Sequence, residues 1–407
     1  MSLRPRSKRD WGRLGMTSEW KTSPLRDLVG FISKGIAPSY ADEESETTVR
    51  VLNQKCNRNF RITYSESRLH DLARKKVPAE RFVRIDDILI NSTGAGTAGR
   101  IAQICNLPCD TIVDGHMIII RANDKVSQKY LGYAMKAHQW EVLQLDEGST
   151  GQTELNRERL LDEIMISYPT SFSLQEMVVK TLEGIDQKLL INEKVNDNLQ
   201  QQAAALFSSL YDRSNTEVRF TDLIQILGGG TPKTGENTYW NGNIAFFTPK
   251  DVGIPYTLIT EKTISKEGLS HCNSRLYPVN TVFVTARGTV GKVGMSGVPM
   301  AMNQSCYALV GKETHQLLVY FYTLKAVDRL KHKASGAVFD AITTRDFESE
   351  QIMKLSDDDA TAFLRVAEPM FQEVLNNNIE NLRLSTLRDS LLPKLMSGEI
   401  DVSAVQL

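Results

Sequence analysis

The sequence predicts an α+β protein in which two tandem mixed α/β domains are separated by two long helices that pair as an antiparallel coiled coil, with pseudo-two-fold symmetry. Three observations lead to this prediction. A heptad pattern of apolar residues lies in the middle of the chain, a second long helical segment lies near its C-terminal end, and one order of landmarks occurs twice. At 407 residues, the chain is long enough for two or three domains that each bury a core.

The chain begins with a basic arm, residues 1–18, which has little apolar content. Met16 offers a second possible start. We therefore interpret the arm as an extension or a disordered tail and assign no function to it.

Residues 19–170 are predicted to form a first, mostly β domain. A strand at residues 87–91 leads into a glycine loop at residues 94–99, which matches the spacing G-x-G-x-x-G. That fingerprint binds a dinucleotide only where the loop opens a helix, and the alternating residues 100–104 predict a strand instead. A nucleotide-dependent enzyme that uses this loop is therefore kept only as a remote alternative.

A central helix is predicted from Leu174 to Tyr211 within a connecting segment, residues 171–214. Steps of four and three residues from Val178 reach a seam made of Leu182, Ile185, Leu189, Asn192, Asn196, Leu199, Ala203, Leu206 and Leu210. The length of this pattern favours a coiled coil over the alternative of one amphipathic helix on a globular core. The two asparagines are expected to fix the register, because any other pairing leaves a buried amide unsatisfied.

Residues 215–355 repeat the landmarks of the first domain, which indicates a tandem duplication. The offset between matching landmarks drifts only from 195 to 187 residues. The pairs are residues 222–224 with 27–29, Gly230 and Pro232 with Gly35 and Pro38, 243–250 with 50–55, 281–285 with 87–91, 288–293 with 96–101, and 341–343 with 154–156.

A second long helix is predicted in residues 356–400, followed by a tail at 401–407. Ser356 is the expected N-cap, with three aspartates in the first turn, and Pro393 and Gly398 are expected to end the helix. It should pair antiparallel with the central helix so that polar seam residues meet near mid-length. The predicted interface consists of Ile185, Leu189, Asn192, Asn196, Leu199, Phe371, Asn378 and Leu382.

The charge balance excludes a uniformly basic nucleic-acid binder, because 48 basic residues face 49 acidic ones. Five cysteines fit free thiols in a reducing compartment. Without a long apolar run or a signal-peptide pattern, a cytoplasmic protein is expected. Cys105, Cys109 and His116 lack a fourth zinc ligand, so no metal site and no catalytic residue is predicted.

Amide, hydroxyl, aromatic and basic residues recur in loops at matching places of both domains. Arginine can read guanine, asparagine and glutamine can read adenine, and lysine holds phosphates, so these loops predict a surface that reads a DNA groove. The candidate DNA-binding residues are Lys34, Lys55, Arg58, Asn59, Arg61, Arg100, Thr231, Lys233, Thr234, Trp240, Lys250, Arg287, Lys292, Asn303 and Gln304.

Residues 228–234, 239–242 and 246–251 resemble the opening of a target-recognition domain in specificity subunits of type I restriction-modification systems. Residues 387–400 resemble the conserved C-terminal helix end of the same family. The first domain departs from the pattern, since it has Gly35 where the second has three glycines and Asn53-Gln54-Lys55 where the second has Thr248-Pro249-Lys250. The two domains are therefore expected to read different base sequences.

The resemblance implies a non-catalytic subunit that reads a bipartite double-stranded DNA target, one half-site for each domain, with the paired helices setting the gap. It implies docking of two modification (methyltransferase) subunits and of restriction subunits. S-adenosylmethionine, ATP and Mg are expected on those partners and no cofactor on this chain. The alternative is a scaffold or decoy subunit that captures the methyltransferase without reading DNA.

Overall fold

The computed structural model describes residues 19–94, 96–147, 154–253, 255–333 and 341–402. The chain is divided into two units, Met1–Gln187 with Ser385–Leu407, and Lys188–Leu384. The basic arm at 1–18, Ala95 of the glycine loop and residues 403–407 of the tail lie outside the described residues.

The first unit is mostly β, as predicted. Its strands are β1 (Trp20–Pro24), β2 (Val29–Lys34), β3 (Tyr40–Ala41), β4 (Thr48–Leu52), β5 (Asn57–Arg58), β6 (Arg61–Ile62), β7 (Arg68–Asp71), β8 (Ile88–Asn91), β9 (Ile101–Gln103), β10 (Thr111–Val113), β11 (Met117–Ala122), β12 (Asp146–Glu147), β13 (Glu154–Leu155) and β14 (Met165–Pro169). Its short helices are α1 (Gln128–Ala137), α2 (Gln139–Val142) and α3 (Arg157–Glu163).

The first unit contains two four-stranded sheets, with strand orders β2-β11-β8-β9 and β10-β4-β7-β3. Successive side chains of β8 point to opposite faces of the sheet. Because all four residues of β8 are buried, both of its faces are covered. Ile88 and Ile90 pack with the short helices and the adjacent parts of the two long helices. Leu89 packs with Leu52 of the second sheet. The buried strand β8 thus holds the glycine loop, which follows it directly.

The two long helices are α4 (Phe172–Arg213) and α9 (Asp357–Met396), and each contributes residues to both units. The other elements of the second unit are β15 (Thr216–Arg219), α5 (Phe220–Leu223), β16 (Ile224–Gly228), β17 (Trp240–Phe247), β18 (Tyr256–Thr257), β19 (Lys262–Ile264), α6 (Lys266–Ser270), β20 (Val282–Thr285), β21 (Val293–Ser296), β22 (Met300–Met302), β23 (Cys306–Gly311), α7 (Gln316–Lys333), α8 (Thr344–Ser349) and β24 (Gln351–Lys354).

The predicted duplication is confirmed by the sheet topology. The order β16-β23-β20-β21-β18 repeats the order β2-β11-β8-β9 with one strand added, and β19-β17-β22 repeats β7-β4-β10, including its single parallel pair. In each unit the glycine loop joins two antiparallel strands, β8 with β9 and β20 with β21.

One correspondence drawn from the sequence is wrong by one residue. Gly35 lies so close to Asp114 that a Cβ atom on it would be 2.1 Å from that residue's carbonyl oxygen. In the second unit it is Gly229, and not Gly230, that lies in this way against Asn303, at 2.3 Å. A run of three glycines hid this one-residue difference in the sequence.

Helices α4 and α9 run antiparallel, as predicted. In the first unit Asp186 accepts a hydrogen bond from Arg388 at 3.0 Å. In the second unit Asn192 donates to Asn381 at 2.8 Å and Asn196 donates to Asn378 at 2.9 Å, so higher numbers on α4 face lower numbers on α9. The central helix extends two residues beyond each of its predicted ends.

The polar residues of the seam meet, as the sequence predicted, but more of them take part. Asn377 donates to the side-chain oxygen of Asn196 at 2.9 Å. Asn192 donates to Asn381 at 2.8 Å and to Glu380 at 2.7 Å. Because Asn192 and Asn196 are almost fully buried, these bonds satisfy amides that water does not reach.

The apolar residues predicted at the helix interface differ in burial. Leu189 and Phe371 are buried, and Ile185 and Leu199 are partly buried. Leu382 was predicted in the seam and is 36% exposed. Asn381 occupies the seam instead, and the next residue on a helix is turned by about 100° away from it.

Helix α9 begins as predicted, and its C-terminal end differs from the prediction at Pro393. Ser356 caps the N-terminus, since its hydroxyl accepts the amide of Asp359 at 3.1 Å. Pro393 was predicted to help end the helix, but α9 continues to Met396. Pro393 removes only the one backbone hydrogen bond that its missing N–H would donate, so the helix continues past it. Gly398 follows the helix end with a left-handed φ of 73°.

Candidate nucleic-acid interface

The second unit gathers loop residues where several strands end. We call this surface the second rim and define it as residues 228–233, 247–251, 286–292 and 303–305. Asn303 donates its amide to the carbonyl of Phe247 at 3.0 Å, and Ala286 donates to Ser305 at 2.8 Å. Gly230 donates its amide to Met302, next to Asn303, at 3.1 Å. These three backbone bonds hold four loops against one another, although the loops are far apart in the sequence.

Most of the predicted residues of the second unit lie on this rim. The Thr231 hydroxyl is hydrogen-bonded to the side chain of Gln304. The Asn303 side chain accepts the amide of Ser305 at 3.0 Å and so shapes the turn rather than pointing freely outward. Arg287 is exposed, and its amide donates to Ser305 at 3.3 Å.

The lysines of the second rim are exposed. Thr289 donates its hydroxyl to the carbonyl of Pro249 at 3.3 Å, which places the loop containing Lys292 beside Lys250. Lys250 lies 3.6 Å from Glu261, and Lys292 is exposed. The rim therefore combines cations with amides and a hydroxyl.

Trp240 has a structural contact that the sequence did not reveal. Its indole N–H donates to the carbonyl of Lys233 at 3.1 Å, and its ring packs edge-on against Phe246 with centroids 5.5 Å apart. Lys262 lies over the ring at 5.6 Å. Trp240 thus anchors the loop that exposes Lys233 and Thr234.

The equivalent surface of the first unit, the first rim, is defined as residues 34–36, 53–55, 92–94 and 114–116. Asp114 donates its amide to Leu52 at 2.9 Å, which matches the bond from Asn303 in the second unit. Lys34 forms an ion pair with Glu154. The Thr93 hydroxyl and the His116 ring are 2.7 Å apart, and sequence reasoning assigned neither residue to this surface.

Lys55 and Arg100 lie at the first rim and beside the glycine loop. Lys55 is exposed on a turn in which its amide donates to the side chain of Asn53 at 2.8 Å. The guanidinium of Arg100 donates to the carbonyl of Gly96 at 2.9 Å and so lies against the loop. Two cationic side chains therefore lie at this edge of the unit.

The structure does not bring Arg58, Asn59 and Arg61 onto the first rim. They form the β5–β6 hairpin, in which Asn59 has a left-handed φ of 52°. The hairpin tip packs along β9, where Phe60 pairs with the backbone of Ala102. The ammonium group of Lys136 on α1 lies 5.0 Å from the Phe60 ring.

Three features of the described residues bear on covalent, metal and cofactor chemistry. Burial raises the pKa of the Cys306 thiol to about 12, and a protonated thiol is a poor nucleophile. No group of three His, Cys, Asp or Glu within this part of the chain is arranged to hold a metal ion. Beyond Gly99 and Arg100 the chain enters β9, so the predicted strand is confirmed and the dinucleotide fingerprint lacks the helix it requires.

None of the helices in the described ranges is long and apolar enough to cross a membrane.

Comparison with known proteins identifies one family. The family model of the type I restriction modification DNA specificity domain matches residues 17–201 and 213–354. The chain is 28% identical over 186 residues to the type I restriction enzyme HindI specificity subunit of Haemophilus influenzae, which is 44% of this chain and 40% of that protein. It is 29% identical over 127 residues to the MjaIX specificity subunit of Methanocaldococcus jannaschii, which is 30% of this chain and 29% of that protein.

These matches span less than half the length of both curated relatives. A solved structure extends the similarity in fold. The type I restriction-modification S subunit from M. genitalium is 15% identical, covers 94% of this chain and 98% of its own, and gives a TM-score of 0.58.

Proposed function

The chain belongs to the type I restriction-modification DNA specificity family, and on this premise we propose that it is the DNA-reading specificity subunit of such a system. Each unit reads one half of a bipartite double-stranded target. The two half-sites differ because the two rims carry different side chains on the same strand framework. The family also makes a sequence-reading role more fitting than the scaffold or decoy alternative.

The observation that carries this proposal is the second rim. The side chains of Thr231 and Gln304 are hydrogen-bonded although they lie 73 residues apart in the sequence. A backbone bond from Arg287 to Ser305 holds the Arg287 loop at the same edge of the unit. Arginine can bond guanine bidentately and glutamine can bond adenine in the major groove, while lysines and hydroxyls hold phosphates. The first rim has the same arrangement of loops but carries different side chains, including Lys34 and Lys55. This difference suits the reading of a second half-site with another base sequence.

We further propose that the chain works with methyltransferase and restriction subunits in the cytoplasm and is itself non-catalytic. S-adenosylmethionine, ATP and Mg belong to those partners. Support for docking comes from the helices, where Leu190, Ile191 and Val195 of α4 are 42%, 55% and 39% exposed. Apolar residues at such spacing on a helix suit a protein partner.

Replacing Arg287 with alanine is expected to weaken discrimination at one base pair of one half-site by about 1–3 kcal/mol, because a bidentate base contact is lost. The measurement compares methylation rates on the target and on each single-base variant. The other half-site serves as an internal control. A loss that is equal on all sequences would instead identify a phosphate contact.

The paired helices are proposed to set the gap between the half-sites. Removing residues 189–195 from α4 together with the opposing residues 378–384 from α9 deletes matched heptads and keeps the helix faces within about 20°. At 1.5 Å per residue the deletion removes about 10 Å, or about three base pairs. Mapping the methylated motif should show unchanged half-sites with a shorter gap, and an unchanged gap would refute this role.

The proposal as a whole is tested by selection from random duplex DNA. The purified chain with its methyltransferase subunit should retain duplexes that share two short defined sequences at a fixed distance. Retention of DNA without any common sequence would contradict a sequence-reading function.

A further inference from the structure

A segment that the sequence did not single out borders the second rim. Residues 272–276 follow α6 and lead into Tyr277. Gly230 touches this segment, since a Cβ atom on it would lie 2.6 Å from the backbone nitrogen of Asn273. The third glycine of the motif at 228–230 therefore lets the segment approach the loop that carries Thr231.

The segment is held firmly at both sides. The buried Tyr277 donates its hydroxyl to the carbonyl of Gly228 at 2.9 Å, and its amide donates to Met300 at 2.9 Å. The hydroxyl of Ser274 accepts the amide of Met302 at 3.0 Å. Side chains that project from this segment are thus placed with little loss of entropy on binding.

The exposed side chains of the segment are of types that can contact DNA bases. Asn273 and Arg275 are exposed, and Leu276 is 48% exposed. No hydrogen bond or ion pair engages the Arg275 guanidinium among the residues that the structure describes. Asparagine can bond adenine, arginine can bond guanine, and apolar side chains contact the thymine methyl group.

The first unit lacks the same arrangement. Ile36 occupies the position of Gly230 there, and it is buried with Val49 and Ile112 in a small apolar cluster. A segment that approaches as Asn273 does would meet the Ile36 side chain. The feature is therefore a property of the second unit and would distinguish how the two half-sites are read.

We infer that residues 273–276 form an additional base-reading segment for the second half-site, with Arg275 contacting a base in the major groove. This inference rests on the proposed function. It adds a contact that is separate from Arg287, on the side of the rim that carries Thr231 and Gln304.

The test uses the full chain in complex with its methyltransferase subunit and measures methylation rates on the target and on every single-base variant of both half-sites. Arg275→Ala should lower discrimination roughly 10- to 100-fold at one base pair of the half-site read by the second unit. Arg275→Lys should keep most of the overall affinity and still lose discrimination, because an ammonium group cannot bond guanine bidentately.

A second variant tests the position of the segment, and a third serves as the control. Gly230→Ala should reproduce the loss at the same base pair, because its Cβ displaces the segment. Arg345→Ala, which removes an exposed arginine of α8, should change nothing.

Unchanged discrimination in Arg275→Ala, or a loss equal on all sequences, overturns the inference while the proposed function stands. A wild-type complex that methylates without any sequence preference overturns both.

Discussion

Replacing Asp186 with alanine is expected to lower the free energy of unfolding by about 3 kcal/mol. In the first unit this carboxylate accepts hydrogen bonds from Arg388 at 3.0 Å and from the hydroxyl of Tyr133 at 2.9 Å. The ammonium group of Lys136 lies 3.6 Å away. One carboxylate thus ties α4 to α9 and to α1.

The size of the effect follows from the burial of the two cations. The side chains of Lys136 and Arg388 are 11% and 15% exposed, and burial lowers the pKa of Lys136. Without Asp186 the Lys136 ammonium loses this counter-charge in a poorly solvated site, and Arg388 keeps only its 2.8 Å ion pair with the more exposed Asp389. Removing one partner of a buried ion pair costs about 3–5 kcal/mol where burial is complete. The lower end applies because Asp186 itself is 29% exposed.

Equilibrium urea denaturation of the full chain measures this change. Tyr133→Phe is the matched control, because it removes one hydrogen bond and no charge, and it should cost about 1 kcal/mol. If Asp186→Ala cost no more than Tyr133→Phe, the carboxylate would not be the centre of this contact.

Replacing Asn196 with leucine is expected to destabilise the paired helices by about 2–5 kcal/mol. Asn196 bonds both Asn377 and Asn378 at 2.9 Å. A leucine at this position leaves the buried Asn377 and the partly buried Asn378 without their partner. An unsatisfied buried polar group costs about 1–3 kcal/mol, and less where water reaches it.

A triple variant separates polar satisfaction from packing. Changing Asn196, Asn377 and Asn378 together to leucine should recover most of the lost stability, because no unpaired amide remains. Thermal unfolding monitored by circular dichroism compares the single and triple variants. A triple variant that is less stable than Asn196→Leu would show that the amides contribute more than register.

The paired helices were predictable because their signal is local and periodic. A heptad seam shows in one stretch of sequence, and a buried Asn196 requires a polar partner, which Asn378 supplied. The prediction for Leu382 was wrong because Asn381 bonds Asn192 in the seam, and the side chain of the next residue therefore points outward. That choice depends on the facing helix and cannot be predicted from one segment.

The recognition surfaces were predicted only in part, since their contacts join distant residues. The repeated glycine loops allowed the duplication to be predicted. The hydrogen bond between Thr231 and Gln304 could not be predicted in the same way, because it spans 73 residues. Arg58 and Arg61 have the composition of DNA-binding residues, yet Phe60 holds their hairpin along β9. Arg275 was missed because nothing in its own sequence neighbourhood marks it, and the signal was the third glycine, Gly230.

We propose that this chain selects the DNA sequence that its partners modify. The most direct measurement is to co-express it with its methyltransferase subunit and to map N6-methyladenine on the host DNA. A split motif with two short defined halves around a gap of constant length is the predicted result. A stable complex that leaves the DNA unmethylated, or methylation without a split motif, would contradict the claim.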